Sequence, residues 1–174
     1  MVSCDDGGYP TQAISYVSRT GGVTYDSDYP YNSTSKKCDK TKTNYAVSVT
    51  TWNFVIGLQK MIDHVLNRNT LAVLLDSKNM QAYESGIFPV SNCVAEQANH
   101  AAQIVGVNVE GGYWIVRNTW GTGWGEKGYM RLELVRSRYF TEYFILILIR
   151  CCKAYFVLLR DTHLSNIQIY LHHM

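Results

Sequence analysis

The chain has 174 residues, 47% hydrophobic and 17% charged, with a formal net charge of +2. That balance describes a globular chain rather than a disordered one. No run of Lys or Arg exceeds two residues, so nothing electrostatic points to nucleic acid.

Residues 1–10 read as a loop closing on Gly7-Gly8-Tyr9-Pro10, a glycine pair suited to a tight turn. Thr11–Ser18 sets Ala13, Ile14 and Val17 at helical spacing, with Gly21-Gly22 as the stop. Residues 23–45 are loop-like and rich in Ser, Thr and Lys. Ala46–Val55 alternates and then turns apolar, which predicts a strand. Leu58, Met61, Ile62, Val65 and Leu66 form the stripe of an amphipathic helix, with His64 as a surface residue. Leu71–Leu75 is a short apolar strand, and Met80–Ser85 a turn leading to another strand at 86–89.

The stretch from Asn99 to Leu132 organises the rest. Ala101–Val109, Tyr113–Val116 and Tyr129–Leu132 are strand-like, separated by Gly111-Gly112 and by a Gly-rich turn across 121–128. They predict an antiparallel meander, with His100 at the mouth of one strand and Asn118 at the end of the next. An imidazole can take a proton from a nucleophile and return it to a leaving group. It does so best when a partner holds one ring nitrogen, and the amide oxygen of Asn118 can serve as an Asp does in a serine triad. Trp120 would shield that bond from water. The sequence GTGWG lacks the Lys-Ser/Thr of a phosphate-binding loop, and no Ser lies in a nucleophile-elbow motif. No CxxC pair carries metal spacing, so a zinc site is not expected, and no cofactor is expected either.

NHAAQIVGV, YWIVRNTWGTGWGEKGYMRL, VSCDDGGYP and DYPYNSTSKKC together resemble papain-family cysteine proteases, over residues 2–134 and in the family's order. The resemblance implies an α+β, partial papain-like fold. Residues 1–45 would be a remnant of the helix-rich half, 46–134 the antiparallel β-barrel half, and 135–174 an unrelated apolar tail. His100 would be the catalytic base, Asn118 its orienting partner and Trp120 the indole over their bond. Gly7, Gly8 and Tyr9, with Ala98 and Asn99, match substrate-binding positions. The implied partners are a peptide or protein substrate or a protease inhibitor.

The family's nucleophile lies in a CGSCW-like motif preceded by an oxyanion-hole Gln, and neither occurs in these 174 residues. The chain therefore reads as a fragment of a cysteine-type endopeptidase, lysosomal or secreted by resemblance and without a signal peptide of its own. The alternative is a non-catalytic homologue that binds peptides or an inhibitor. Of the cysteines, the resemblance pairs Cys4 with Cys38 and sends Cys93 to a C-terminal partner, with Cys151 and Cys152 remaining. Reduced thiols are the other possibility for all five. Neither Cys4, followed by two acids and two glycines, nor Cys93 has the setting of an activated thiol. Asn32-Ser33-Thr34 is a glycosylation sequon. The apolar run Phe144–Ile149 is far shorter than the roughly 20 residues of a membrane helix, and His172-His173 reads as a frayed end.

Overall fold

The computed structural model describes residues 7–31, 39–49, 51–93 and 98–134. They divide into two compact units, 7–53 and 54–134. Cys4, Cys38, Asn32, Cys151, Cys152 and the tail 135–174 lie outside the described residues.

In the first unit, Pro10–Thr20 forms helix α1. Proline suits its first turn because the N–H it lacks has no helical partner there. Tyr9 stays extended before it, and its N–H donates to Gln12 Oε1 at 3.0 Å. The helix stops at Gly21, whose φ of 106° only glycine adopts freely and whose N–H closes on the Val17 carbonyl at 3.1 Å. Ile14 faces inward, and the Trp52 indole N–H reaches the Ser15 hydroxyl at 3.0 Å. Val23–Thr24 (β1) pairs antiparallel with Tyr45–Val47 (β2).

The strand expected over Ala46–Val55 is thus limited to Tyr45–Val47. Alternation persists beyond it, since Val47 and Val49 are both buried. What ends the strand is its partner: β1 is two residues long, so no described strand continues the ladder.

The second unit holds helix α2 (Leu58–Asn67) and strands β3 (Leu71–Leu75), β4 (Ile87–Phe88), β5 (His100–Asn108), β6 (Tyr113–Arg117) and β7 (Tyr129–Glu133). They form one sheet in the order β3-β5-β6-β7-β4. β5, β6 and β7 pair antiparallel, as the meander predicts, β3 adds antiparallel to β5, and β4 joins β7 in parallel. Two contacts fix this added edge strand. Glu126 accepts the Gly86 N–H at 3.0 Å, and Glu133 accepts the Val90 N–H at 2.9 Å.

One face of the sheet is the core. Leu71, Val73 and Leu75 stand opposite Ile104, Ala102 and His100; Val116 pairs with Ile104 and Met130, and Trp114 with Leu132. Except for His100, all of these are buried. Because side chains alternate at period two, one register decides which residues share that face.

Helix α2 packs against β5, but it is turned from the expected stripe. Leu58 and Ile62 are buried as foreseen, yet Leu66 is 57% exposed and His64 is 5% exposed. The buried arc has rotated from Leu66 toward His64, so the reading of His64 as a surface residue is wrong. Helical spacing places the stripe only to within about one position, and tertiary docking sets the rest. A helix C-terminus favours a positive imidazole by about 0.3–1 kcal/mol. Burying an unpaired charge costs several kcal/mol. Burial wins, and with the Arg68 charge nearby it holds the His64 pKa below its ordinary value.

This rotation predicts unequal costs for two apolar truncations. Ile62→Ala should destabilise the chain by about 2–5 kcal/mol, and Leu66→Ala should stay within about 0.5 kcal/mol of wild type, by urea unfolding. Equal losses at both positions would contradict the rotated face.

Candidate active site

His100 opens β5, opposite Leu75 at the end of the core face. β5 and β6 are in register with Gln103 opposite Arg117. Carried one step further, that register sets Asn118 across from Ala102, on the face Ala102 shares with His100. The two side chains are therefore diagonal neighbours, within reach across a strand pair. His100 Nε2 lies 2.8 Å from Asn118 Oδ1.

A second donor settles which way the amide points. The Thr119 backbone N–H donates to the same Oδ1 at 2.7 Å, which only an oxygen accepts. Oδ1 therefore accepts from His100 as well, and Nε2 carries the proton. In the neutral ring the lone pair then sits on Nδ1, the nitrogen equipped to take a proton. The Asn118 N–H is bound to the Gly128 carbonyl at 2.9 Å, which anchors the backbone below the amide.

The indole of Trp120 lies against the His100 ring, centroids 4.9 Å apart and planes tilted by 38°. Trp124 meets Trp120 edge-on at 5.1 Å, and Tyr83 contacts Trp124 at 5.5 Å. The Trp124 indole N–H donates to the Met80 carbonyl at 3.1 Å. The Tyr83 hydroxyl donates to the Gly86 carbonyl at 2.7 Å and accepts the Arg131 N–H at 3.2 Å. Burial raises the Tyr83 pKa, which keeps the phenol a donor. A continuous aromatic stack thus runs from the imidazole into the unit. Trp124 and Tyr83 were missed as site supports in the sequence. The W-x-x-x-W spacing of residues 120–124 was a usable sign for the first, and nothing local marked the second.

The turn between β6 and β7 holds both indoles in place. Gly125 has φ +55°, and a Cβ there would fall 2.7 Å from the Tyr129 carbonyl oxygen. No larger residue lets the chain pass so close. Arg131 grips Glu126 through Nε at 3.0 Å, and that hydrogen bond holds the Glu126 carboxyl below its usual pKa.

Ala98, Asn99, His100, Asn118 and Trp120 all belong to the second unit. Ala98 is half-buried. Asn99 Oδ1 accepts from the Ser77 N–H at 2.9 Å and the Ser77 hydroxyl at 3.0 Å. The Asn99 N–H donates to the Leu75 carbonyl at 3.0 Å, tying the base of the His100 strand to the exit of β3. Gly7, Gly8 and Tyr9 belong to the first unit. Gly7 has φ 68°, and Tyr9 is exposed at the head of α1. Cys93 is buried and disulfide-bonded, so it is not a free thiol. Among the described residues no helix is long and apolar enough to cross a membrane.

Known proteins resemble this chain over most of its length. The model of the papain family cysteine proteases matches residues 1–142. The putative cathepsin L 3 of Paramecium tetraurelia is 37% identical over 138 residues, covering 76% of this chain and 43% of that protein. The thiol protease aleurain of Arabidopsis thaliana is 32% identical over 139 residues, 76% of this chain and 39% of the relative. Among solved structures, the bromelain protease from Ananas comosus in complex with the E64 inhibitor superposes with a TM-score of 0.68 at 30% identity, covering 76% of this chain and 63% of that one. Procathepsin L2 from the larval midgut of Tenebrio molitor gives 0.70 at 26% identity, over 87% of this chain and 46% of that one. The chain spans about two fifths of the length of these curated relatives.

The amide geometry predicts a tautomer. Nitrogen-15 spectra of the neutral His100 ring should show Nε2 protonated and Nδ1 bare. Asn118→Ala should shift the ring toward a mixture of the two forms. A wild-type ring protonated at Nδ1 would contradict the assignment.

Proposed function

The chain belongs to the papain family of cysteine proteases, and from that premise we propose that it is part of an endopeptidase in which His100 is the base and Asn118 its orienting partner. The observation that carries this reading is the 2.8 Å contact between His100 Nε2 and Asn118 Oδ1, with the amide oriented by Thr119. Nδ1 then takes the proton of a cysteine thiol and later returns it to the leaving amine of the cleaved peptide bond. Trp120 keeps water from the Nε2–Oδ1 bond, which strengthens it. The nucleophilic Cys and the oxyanion-hole Gln come from sequence outside these 174 residues.

In this reading residues 1–45 belong to the helix-rich half and 46–134 to the β-barrel half. Gly7, Gly8 and Tyr9 take part in substrate binding, with Gly7 and Gly8 offering backbone to an extended peptide, and Ala98 and Asn99 are substrate-binding residues as well. Cys4 and Cys38 form a disulfide, Asn32 carries a glycan, and the protein is lysosomal or secreted. Its partners are peptide substrates and protease inhibitors, the class to which the inhibitor bound to the bromelain relative belongs.

A second reading is a homologue that binds peptides without cleaving them. It is favoured by one observation: Cys93 is committed to a disulfide and so is no nucleophile.

Kinetics of the protein translated from the complete transcript separate the two. Peptide hydrolysis should occur, and His100→Ala should lower kcat/KM by roughly 10²–10⁴-fold, the range for loss of a general base. Binding of the same peptides with no hydrolysis would decide for the second reading.

A further inference from the structure

His64 has no part in the site described above, yet its position is unusual for an ionisable residue. It lies in the last turn of α2 with its side chain 5% exposed. Its Nε2 has no hydrogen-bond partner among the described residues. Buried polar atoms are nearly always paired, because desolvation without a partner is costly. A neutral imidazole tolerates that setting far better than a cation does.

The surrounding charges do nothing to favour the cation. On α2, Lys60 and Arg68 lie one turn to either side and are exposed, and both are positive. Asp63 is adjacent in sequence but exposed, and its Oδ1 accepts from Gln59 Nε2 at 2.8 Å. β5, the strand packed against α2, carries one titratable side chain, His100, and no carboxylate. The backbone carbonyl of His64 is already occupied. It accepts from both the Arg68 N–H at 2.9 Å and the Asn69 N–H at 3.1 Å, closing the helix end.

We propose that His64 is a proton-operated latch: neutral, it lets α2 lie against β5, and on acidification its protonation releases the C-terminal turn of α2 into water. The latch acts on the strand that begins with His100, and it stands whether or not that residue is a catalytic base. Burial and Arg68 hold the folded-state pKa of His64 below its ordinary value of 6.5. The unfolded chain therefore binds this proton at a higher pH than the folded chain. The contribution of His64 to stability is complete above pH 6.5 and is lost as pH falls from there toward the folded-state pKa.

The test is urea unfolding of the 174-residue chain and of His64→Leu between about pH 5 and pH 8. In that window the wild-type folding constant should lose up to about tenfold per pH unit more than the variant's, the effect of one proton. Both proteins keep every other histidine, so the difference isolates His64. Amide protection of α2 relative to β6, corrected for intrinsic exchange, should fall on acidification in wild type and hold in the variant. Identical pH slopes, or a loss of protection no greater in α2 than in β6, would overturn the proposal. Should His64→Leu fail to fold, titration of the wild-type His64 ring by NMR decides. A midpoint below 6.5 supports the latch, and one at or above 6.5 refutes it.

Discussion

Gln103 stands opposite Arg117, and from that pairing much of the site follows by counting. It fixes Ile104 against Val116 and assigns Trp114, Val116, Ala102 and Ile104 to the buried face. The same alternation, carried to the strand ends, leaves His100 and Asn118 as the last members of that face. A slip of one residue between the two strands would leave His100 and Asn118 on opposite sides of the sheet. The apolar core and the His–Asn pair are therefore specified together, and the hydrophobic effect that locks the register also places the imidazole.

The pair works through what surrounds it. A neutral amide orients an imidazole only if its own oxygen is held in place, and the Thr119 N–H does this from one residue away. The indole of Trp120 then covers the imidazole, Trp124 supports Trp120, and Tyr83 supports Trp124. The turn that carries the indoles depends on Gly125, where a side chain would meet the Tyr129 carbonyl. Its far end is gripped by Glu126 and Arg131. Little of this rigidity is local to the two residues that face each other.

Much of the fold could be read from residue order because its signals are short-range. Leu71–Leu75 is an unbroken apolar run and is the strand β3. The two helices follow their spacing, with α1 extending to Pro10 and Thr20 and α2 to Asn67. The His–Asn pairing was visible because a hairpin brings its ends together. Features that depend on partners were not legible. The 46–55 strand ended where β1 ran out of residues, and the parallel seating of β4 on β7 relies on Glu126 and Glu133 reaching back to distant backbone. His64 was misread because a helix's docked face can rotate past its apolar stripe. Trp124 and Tyr83 support the site through contacts that no spacing rule encodes beyond the Trp pair.

In the proposed function this sheet presents the base of a cysteine peptidase whose nucleophile lies elsewhere in the same protein. The papain family model extends over residues 1–142, and the curated relatives are more than twice as long as the matched region. The most direct measurement is the sequence of the full-length transcript on the 5′ side of this reading frame. The account predicts in-frame codons for a CGSCW-like motif, with a Gln a few residues before it. A transcript whose open reading frame holds only these 174 codons would contradict it, leaving His100 and Asn118 as an inherited pair with no thiol to serve.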